Sequence, residues 1–140
     1  MQVIGFNFTK ISAERVLDFK KSKVDIDIQF TNIEKEKIDL LKDSEALKVT
    51  FKHILNYNAE DEKDPKQGEI AFEGHLVLTV TKDESKEIMK TWKKKTLPNN
   101  ITLLISNLIL KRCASRAFQL QDELGLPSHI RVPRLGPREQ

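Results

Sequence analysis

The residues that could support metal or acid–base chemistry are few in this chain and are scattered along it. The three histidines are His53, His75 and His129, and none stands at a ligand-type spacing from another or from the single cysteine, Cys113. A zinc site needs three or four convergent ligands. We therefore expect histidines on the surface or on a sheet face, and neither a metal nor another cofactor.

Two carboxylates and one thiol are the remaining candidates for catalysis. Asp25 and Asp27 lie two residues apart, which places them on the same face of a strand. Paired carboxylates act as acid and base when burial raises the pKa of one of them, but the alternation of this stretch predicts that both face solvent. Cys113 lies on an apolar helical stripe, which is typical of a buried, unreactive thiol. These features predict that the protein is not an enzyme.

Positive charge is concentrated in the last part of the chain. Residues 1–85 carry 13 Lys and Arg against 17 Asp and Glu, whereas residues 86–140 carry 11 against 4. Clustered Lys and Arg can neutralise phosphates, so an RNA- or DNA-binding module is an alternative function, although solvated helix faces also often carry Lys. The candidate basic patch consists of Lys93, Lys94, Lys95, Arg112 and Arg116.

The first 81 residues read as four β-strands. Residues 24–31 alternate strictly between apolar and polar side chains, so one face is buried and the other wet, as in an antiparallel sheet. Gly74 interrupts the apolar row of the last strand and indicates a bulge, a bend or a close backbone approach. Charged residues at 34–45 predict a surface connection with a turn of helix at 38–41. The other strands are expected at 3–8, 47–57 and 69–81.

Two helices follow the strands. Thr81 and Glu84 form a possible capping box for a short amphipathic helix. The long helix begins near Leu97-Pro98 and ends before Gly125. Its apolar residues fall on two stripes, so the helix either breaks or bends near residues 114–115, or its second half packs against something different, most simply a second subunit. A helix that is apolar nearly all round must be covered on more than one side.

The pattern of strands followed by helices is typical of an α+β fold. We expect one domain over residues 1–135 and a disordered tail at 136–140. The longest apolar run is far shorter than the roughly 20 residues that span a bilayer. The first residues lack the charged and apolar regions of a signal peptide. A cytoplasmic protein without membrane partners is therefore expected.

Three stretches carry a resemblance to a known family. They are GEIAFEG at 68–74 in the last strand, Leu97-Pro98 before the long helix, and LPSHIRVP at 126–133 after it. With four antiparallel strands and a helix pair, the chain resembles the SecB export chaperones and a small group of archaeal proteins with a SecB-like outline.

The resemblance implies a non-catalytic module that binds extended or unfolded polypeptide in apolar grooves between sheet and helices. The apolar circumference of the long helix further predicts a homo-oligomer, either a dimer or a tetramer. A self-associating scaffold protein is a further alternative, because self-association could use the same apolar surface. The candidate residues for a polypeptide or subunit interface are Leu76, Leu78, Leu103, Leu110 and Phe118.

Overall fold

The computed structural model describes residues 1–37, 43–131, 133 and 135–137. It confirms the α+β fold, in which a four-stranded antiparallel sheet is followed by a short and a long helix. The predictions for residues 38–41 and for most of the tail at 136–140 fall outside the described residues. The elements are β1 (Gln2–Arg15), β2 (Ser22–Glu36), β3 (Ser44–Ala59), β4 (Gly68–Thr81), α1 (Lys82–Trp92) and α2 (Asn99–Leu124).

The strand order in the sheet is β1-β4-β3-β2, and all neighbours are antiparallel. β3 and β4 therefore form the centre, and β1 and β2 form the two edges. β2 extends five residues beyond the predicted strand, because its backbone stays paired with β3 as far as Glu36 opposite Ala46. The helices pack on one face of the sheet, called the inner face below, and the opposite face is largely polar.

The inner face of the central strands is the core of the protein. Leu47, Val49 and Phe51 of β3 lie opposite Leu78, Leu76 and Gly74 of β4, and the five apolar side chains are at most 1% exposed. A side chain at Gly74 would collide with the carbonyl oxygen of Asn7 and approach Phe51 Cζ to 3.1 Å. The close backbone approach expected at this glycine is therefore present.

The predicted start of α1 and the predicted end of α2 are both confirmed. Thr81 Oγ1 accepts a hydrogen bond from the Glu84 N–H at 3.1 Å, and Glu84 Oε1 accepts one from the Thr81 N–H at 3.0 Å, which completes the capping box. Gly125 ends α2 in the left-handed conformation, with φ of 63°. The N–H of Leu126 then donates to the Gln121 carbonyl at 2.8 Å.

α2 is a single helix of 26 residues, about 39 Å long at ~1.5 Å per residue. Of the two alternatives for this stretch, a break near residues 114–115 is therefore wrong, because the helix is continuous there. Each step of four residues turns about 40° beyond one full turn, so a row built on this step winds around the helix and looks like two stripes in sequence. The buried row consists of Ile101, Ile105, Ile109, Cys113 and Ala117.

Candidate polypeptide-binding groove

The inner face of β2 is apolar but incompletely covered. Ile26 lies opposite Leu55 of β3, and although Leu55 is fully buried, Ile26 is 49% exposed. The helices approach other strands most closely, α2 packing on β1 and β4 and α1 on β3 and β4. The apolar inner faces of both edge strands are therefore left partly open, since Phe8 and Ile11 on β1 are also 37% and 40% exposed. The apolar side chains along β2 are Val24, Ile26, Ile28 and Phe30.

One flank of α2 faces this open edge. Thr102 lines a cavity together with Ile28 and Phe30. Thr102 directly follows the buried Ile101, and the residues that directly follow the other members of the buried row turn about 40° further around the helix with each step of four residues. These residues include Leu110, which is half-buried, and Phe118, which is 45% exposed. We call the cleft between this flank and the apolar side of β2 the β2–α2 groove.

The other flank of α2 faces β1. Arg112 directly precedes the buried Cys113, and its guanidinium carbon lies 5.7 Å from the ring centroid of Phe6 on β1. Leu104 directly precedes Ile105 on the same flank and is 49% exposed, whereas Leu103 points away from the sheet and is 64% exposed. The long helix therefore presents apolar side chains on its outer surface as well as beside the groove.

Leu76 and Leu78 do not lie on an accessible surface. They are 0% and 1% exposed and sit in the centre of the core on β4. Their alternation in sequence correctly indicated one apolar face, but it could not show that the helices of the same chain cover that part of the face. Of the five candidate interface residues, only Leu103, Leu110 and Phe118 are accessible.

The candidate basic patch is divided between the two sides of α2. Lys95 lines the cavity beside Ile28 and Phe30, with its Nζ 4.9 Å from the Trp92 ring centroid, and Lys93 and Lys94 precede it. Arg112 lies on the flank that faces β1, and Arg116 lies one turn beyond it along the helix. They are roughly 20 Å and 26 Å along the axis from the start of α2. The structure therefore does not join the five residues in one patch.

A polar network closes the far end of the groove. Gln121 is 2% exposed, and its Nε2 donates to Tyr57 Oη at 2.8 Å and contacts His129 Nδ1 at 2.8 Å. Tyr57 Oη in turn donates to the carbonyl oxygen of Pro127 at 2.7 Å. Burial lowers the pKa of His129, and the neighbouring His53 lowers it further. Burial likewise lowers the pKa of His53, and the hydrogen bond from its Nδ1 to the Asp27 carbonyl opposes this shift.

Sequence reasoning did not single out Gln121 or Tyr57. The available signal was a glutamine four residues after Ala117, at a position where the buried row calls for an apolar residue. The buried row of a helix seldom carries such a side chain unless the amide finds partners. For Tyr57, the alternation along residues 47–57 indicates only an apolar position at the end of a strand.

The candidates for catalytic chemistry remain separate in space. Cys113 is buried, as predicted, and burial raises its pKa to about 12. Asp25 and Asp27 are exposed, as predicted, and accept hydrogen bonds from Asn58 at 2.6 Å and Gln29 at 2.7 Å. Across the described ranges, no three His, Cys, Asp or Glu side chains come together in a group that could hold a metal ion.

Together, the strand order, the helix pair after the sheet and the β2–α2 groove define an α+β domain with a SecB-like fold. The chain is similar to a SecB-like chaperone of Mycobacterium tuberculosis that was solved in complex with a ChAD peptide from an antitoxin. The match covers 99% of this chain and 92% of that chain, with a TM-score of 0.54 and 13% sequence identity. At this identity the similarity establishes the fold alone.

Comparisons at the level of sequence add no further relative. No family model matches the chain, and no curated protein matches it. The mycobacterial structure is bacterial, so it does not bear on the archaeal part of the resemblance. In the described part of the chain, neither helix is long and apolar enough to cross a membrane.

Proposed function

We propose that this protein is a non-catalytic, cytoplasmic, chaperone-like module that holds extended or unfolded polypeptide in the β2–α2 groove. The observation that carries the proposal is the exposure of Ile26. This side chain is 49% exposed on the inner face of an edge strand, next to a fully buried Leu55. The apolar sheet face thus continues beyond the area that the helices of this chain cover.

An edge strand and an apolar cleft are complementary to an extended chain. β2 pairs with β3 on one side, so the backbone groups on its other side are oriented to form hydrogen bonds with an added strand. Alternate side chains of that strand would contact Ile26 and Ile28, and Thr102 across the groove. Fully burying one such side chain contributes roughly 1.5–3 kcal/mol. A few partial burials suffice for weak, sequence-tolerant binding.

The similar SecB-like chaperone supports the same function, because it was solved with a bound peptide. Self-association is a second part of the proposal. Leu103 and Leu104 are 64% and 49% exposed on consecutive positions of α2, on surfaces that the β2–α2 groove does not include. We assign these two residues to contact with another copy of the chain, in a dimer or tetramer, and Leu110 and Phe118 to the client.

A matched pair of variants on β2 tests the proposed groove. Ile26→Lys places a charge on the inner face, and Gln29→Lys makes a similar change on the outer face of the same strand, where the side chain is exposed. We expect Ile26→Lys to weaken binding of a fluorescent, reduced and unfolded client about tenfold or more, as measured by anisotropy. Gln29→Lys is expected to change the affinity less than twofold.

The same assay discriminates the alternative functions. A random single-stranded oligonucleotide replaces the client, at low and at moderate salt. Oligonucleotide binding that falls steeply with salt, together with no client binding, would replace this proposal with a nucleic-acid-binding module. Binding of neither probe by a stable oligomer would favour a self-associating scaffold.

A further inference from the structure

The chain that follows α2 turns back onto the sheet. Leu126, directly after the left-handed Gly125, is only 6% exposed and belongs to the core. The carbonyl oxygen of Pro127 then accepts the Tyr57 hydroxyl at 2.7 Å, and His129 Nδ1 meets Gln121 Nε2 at 2.8 Å. Residues 127–131, called the docked segment below, therefore lie against β3 and α2.

The docked segment occupies one end of the β2–α2 groove. Tyr57 is paired in register with Val24 of β2, and His53 with Ile28, so that Ile26 lies between these two pairs. The docked segment contacts Tyr57 directly, and His129 lies near enough to His53 to influence its own protonation. The segment thus lies over the part of β3 that is paired with Val24, Ile26 and Ile28.

The docked segment is held loosely. Between residues 127–131 and the strands, the described residues form no backbone–backbone hydrogen bond, so the attachment depends on the side chains of Tyr57 and Gln121. Ile130, its largest apolar side chain, is 45% exposed. Among the described residues, Ser128 bonds only to Ile130 of the same segment, at 2.7 and 3.1 Å. Such a segment can be displaced without unfolding the sheet or α2.

The groove also contains an unused acceptor at this point. Gln121 Oε1 is buried and has no hydrogen-bond partner among the described residues. Buried polar atoms in folded proteins are almost always partnered. An added extended chain offers both groups that the site can use, since its N–H can donate to Gln121 Oε1 and its carbonyl can accept from Tyr57 Oη. The docked segment uses only the second of these.

We infer that the docked segment is a built-in competitor, which fills the end of the β2–α2 groove until an extended client displaces it. This inference rests on the proposed polypeptide-binding function. The client replaces the Pro127 carbonyl at Tyr57 and adds the backbone donor that Gln121 lacks. The occupant in the absence of client is the chain itself, which keeps part of the apolar groove covered.

A full-length double variant, His129→Ala with Ile130→Ser, tests the inference. It removes the contact with Gln121 and the apolar side chain, and leaves the groove residues on β2, β3 and α2 unchanged. We expect it to bind the unfolded client about three- to tenfold more tightly than the unaltered chain, mainly through faster association. The control is Leu135→Ser, a fully exposed position outside the docked segment, which is expected to leave the affinity unchanged.

A second measurement on the unaltered protein does not depend on how the variant folds. Nuclear magnetic resonance follows the imidazole signal of His129 during addition of client, and we expect it to move to the position of a histidine in an unstructured peptide. If the unaltered chain binds client while its His129 signal stays in place, or if the double variant binds equally or more weakly, the inference is overturned and the proposed function stands. If neither chain binds client, both are overturned.

Discussion

The two halves of α2 differ in how they are attached to the rest of the protein. The C-terminal half is secured by specific polar bonds, with Arg15 Nη1 donating to the Leu124 carbonyl at 3.0 Å and Gln121 bonded to Tyr57. The N-terminal half carries Leu103 and Leu104 on its surface, at 64% and 49% exposure. Directional bonds require one position and orientation of the helix. Exposed apolar surface imposes no such geometry and is available to a partner.

This difference follows the composition of the helix. Residues 99–111 carry seven Leu and Ile and one charged side chain, whereas residues 112–124 carry two Arg, one Asp and one Glu. Among the described residues, side-chain hydrogen bonds tie only the C-terminal half to the strands. The N-terminal half relies on the buried row beneath it, beginning at Ile101 and Ile105. The following experiments are designed to disturb the two kinds of surface separately.

The largest effect on stability is expected from shortening one buried side chain of the row. Ile109 is fully buried, and Ile109→Ala should lower the free energy of unfolding by about 2–5 kcal/mol through lost burial and a residual cavity. Leu103→Ala, the comparison on the exposed surface, should change it by less than about 0.5 kcal/mol. Urea denaturation measures both. Leu103→Ala is expected to reduce the oligomer mass at a given concentration in analytical ultracentrifugation. Equal destabilisation by the two variants would contradict the distinction between the surfaces.

A smaller loss of stability is expected when the polar network around Gln121 is broken. Gln121→Ala leaves Tyr57 Oη without its donor and opens a small cavity, so the free energy of unfolding should fall by about 1–3 kcal/mol. Gln119→Ala is the matched control, because Gln119 is exposed on the same turn of α2. Denaturation of both variants is measured in parallel. A loss of stability no larger than that of the control would show that the polar network does not hold this half of the helix in place.

The smallest effect is a dependence of stability on pH. The pKa values of His53 and His129 are lowered from 6.5 in the folded protein, in each case mainly because of burial. The unfolded chain therefore binds more protons in mildly acidic solution. The stability that the two neutral histidines contribute is fully present above pH 6.5. It is lost as the pH falls below 6.5 and through the pKa values of the folded state.

Urea midpoints between pH 7.5 and 5.5 test this dependence, and the double variant His53→Gln and His129→Gln provides the comparison. The midpoint of the unaltered chain should fall with pH, and that of the variant should fall less. Equal slopes would indicate that other groups dominate the pH response. Because both histidines border the groove, the test also reports on the secured end of α2.

Local patterns predicted the elements well, because their causes are local. Alternation indicated the apolar faces of the strands. Thr81 and Glu84, which are three residues apart, marked the start of α1 by forming a capping box. Gly125 marked the end of α2 through its left-handed backbone. The apolar residues of α2 looked like two stripes with a possible break at residues 114–115, because a row that advances by four residues drifts around the helix. Which part of a drifting row is buried depends on the surface beneath it.

The accessible part of the apolar surface could not be predicted in the same way. Leu78 and Ile26 both belong to regular apolar alternations, yet one is 1% exposed and the other 49%. The difference arises from strand order, because Leu78 lies on a central strand under the helices and Ile26 on an edge. The pairing of Gln121 with Tyr57 joins residues 64 apart in the chain, and no local pattern encodes it.

Whereas the full lengths of β1 and β2 depended on pairing with their neighbours, the sequence by itself determined the order of the strands and helices, where α1 begins and α2 ends, and which face of the central strands is apolar. These properties follow from backbone geometry and from side chains only a few residues apart. Tertiary structure alone decided that α2 crosses β1 and β4 and leaves the inner faces of the edge strands partly open, and that residues 127–131 return to the sheet. A helix about 10 Å wide cannot cover four strands spaced about 4.8 Å apart, and which strand stays uncovered depends on the whole chain packing at once.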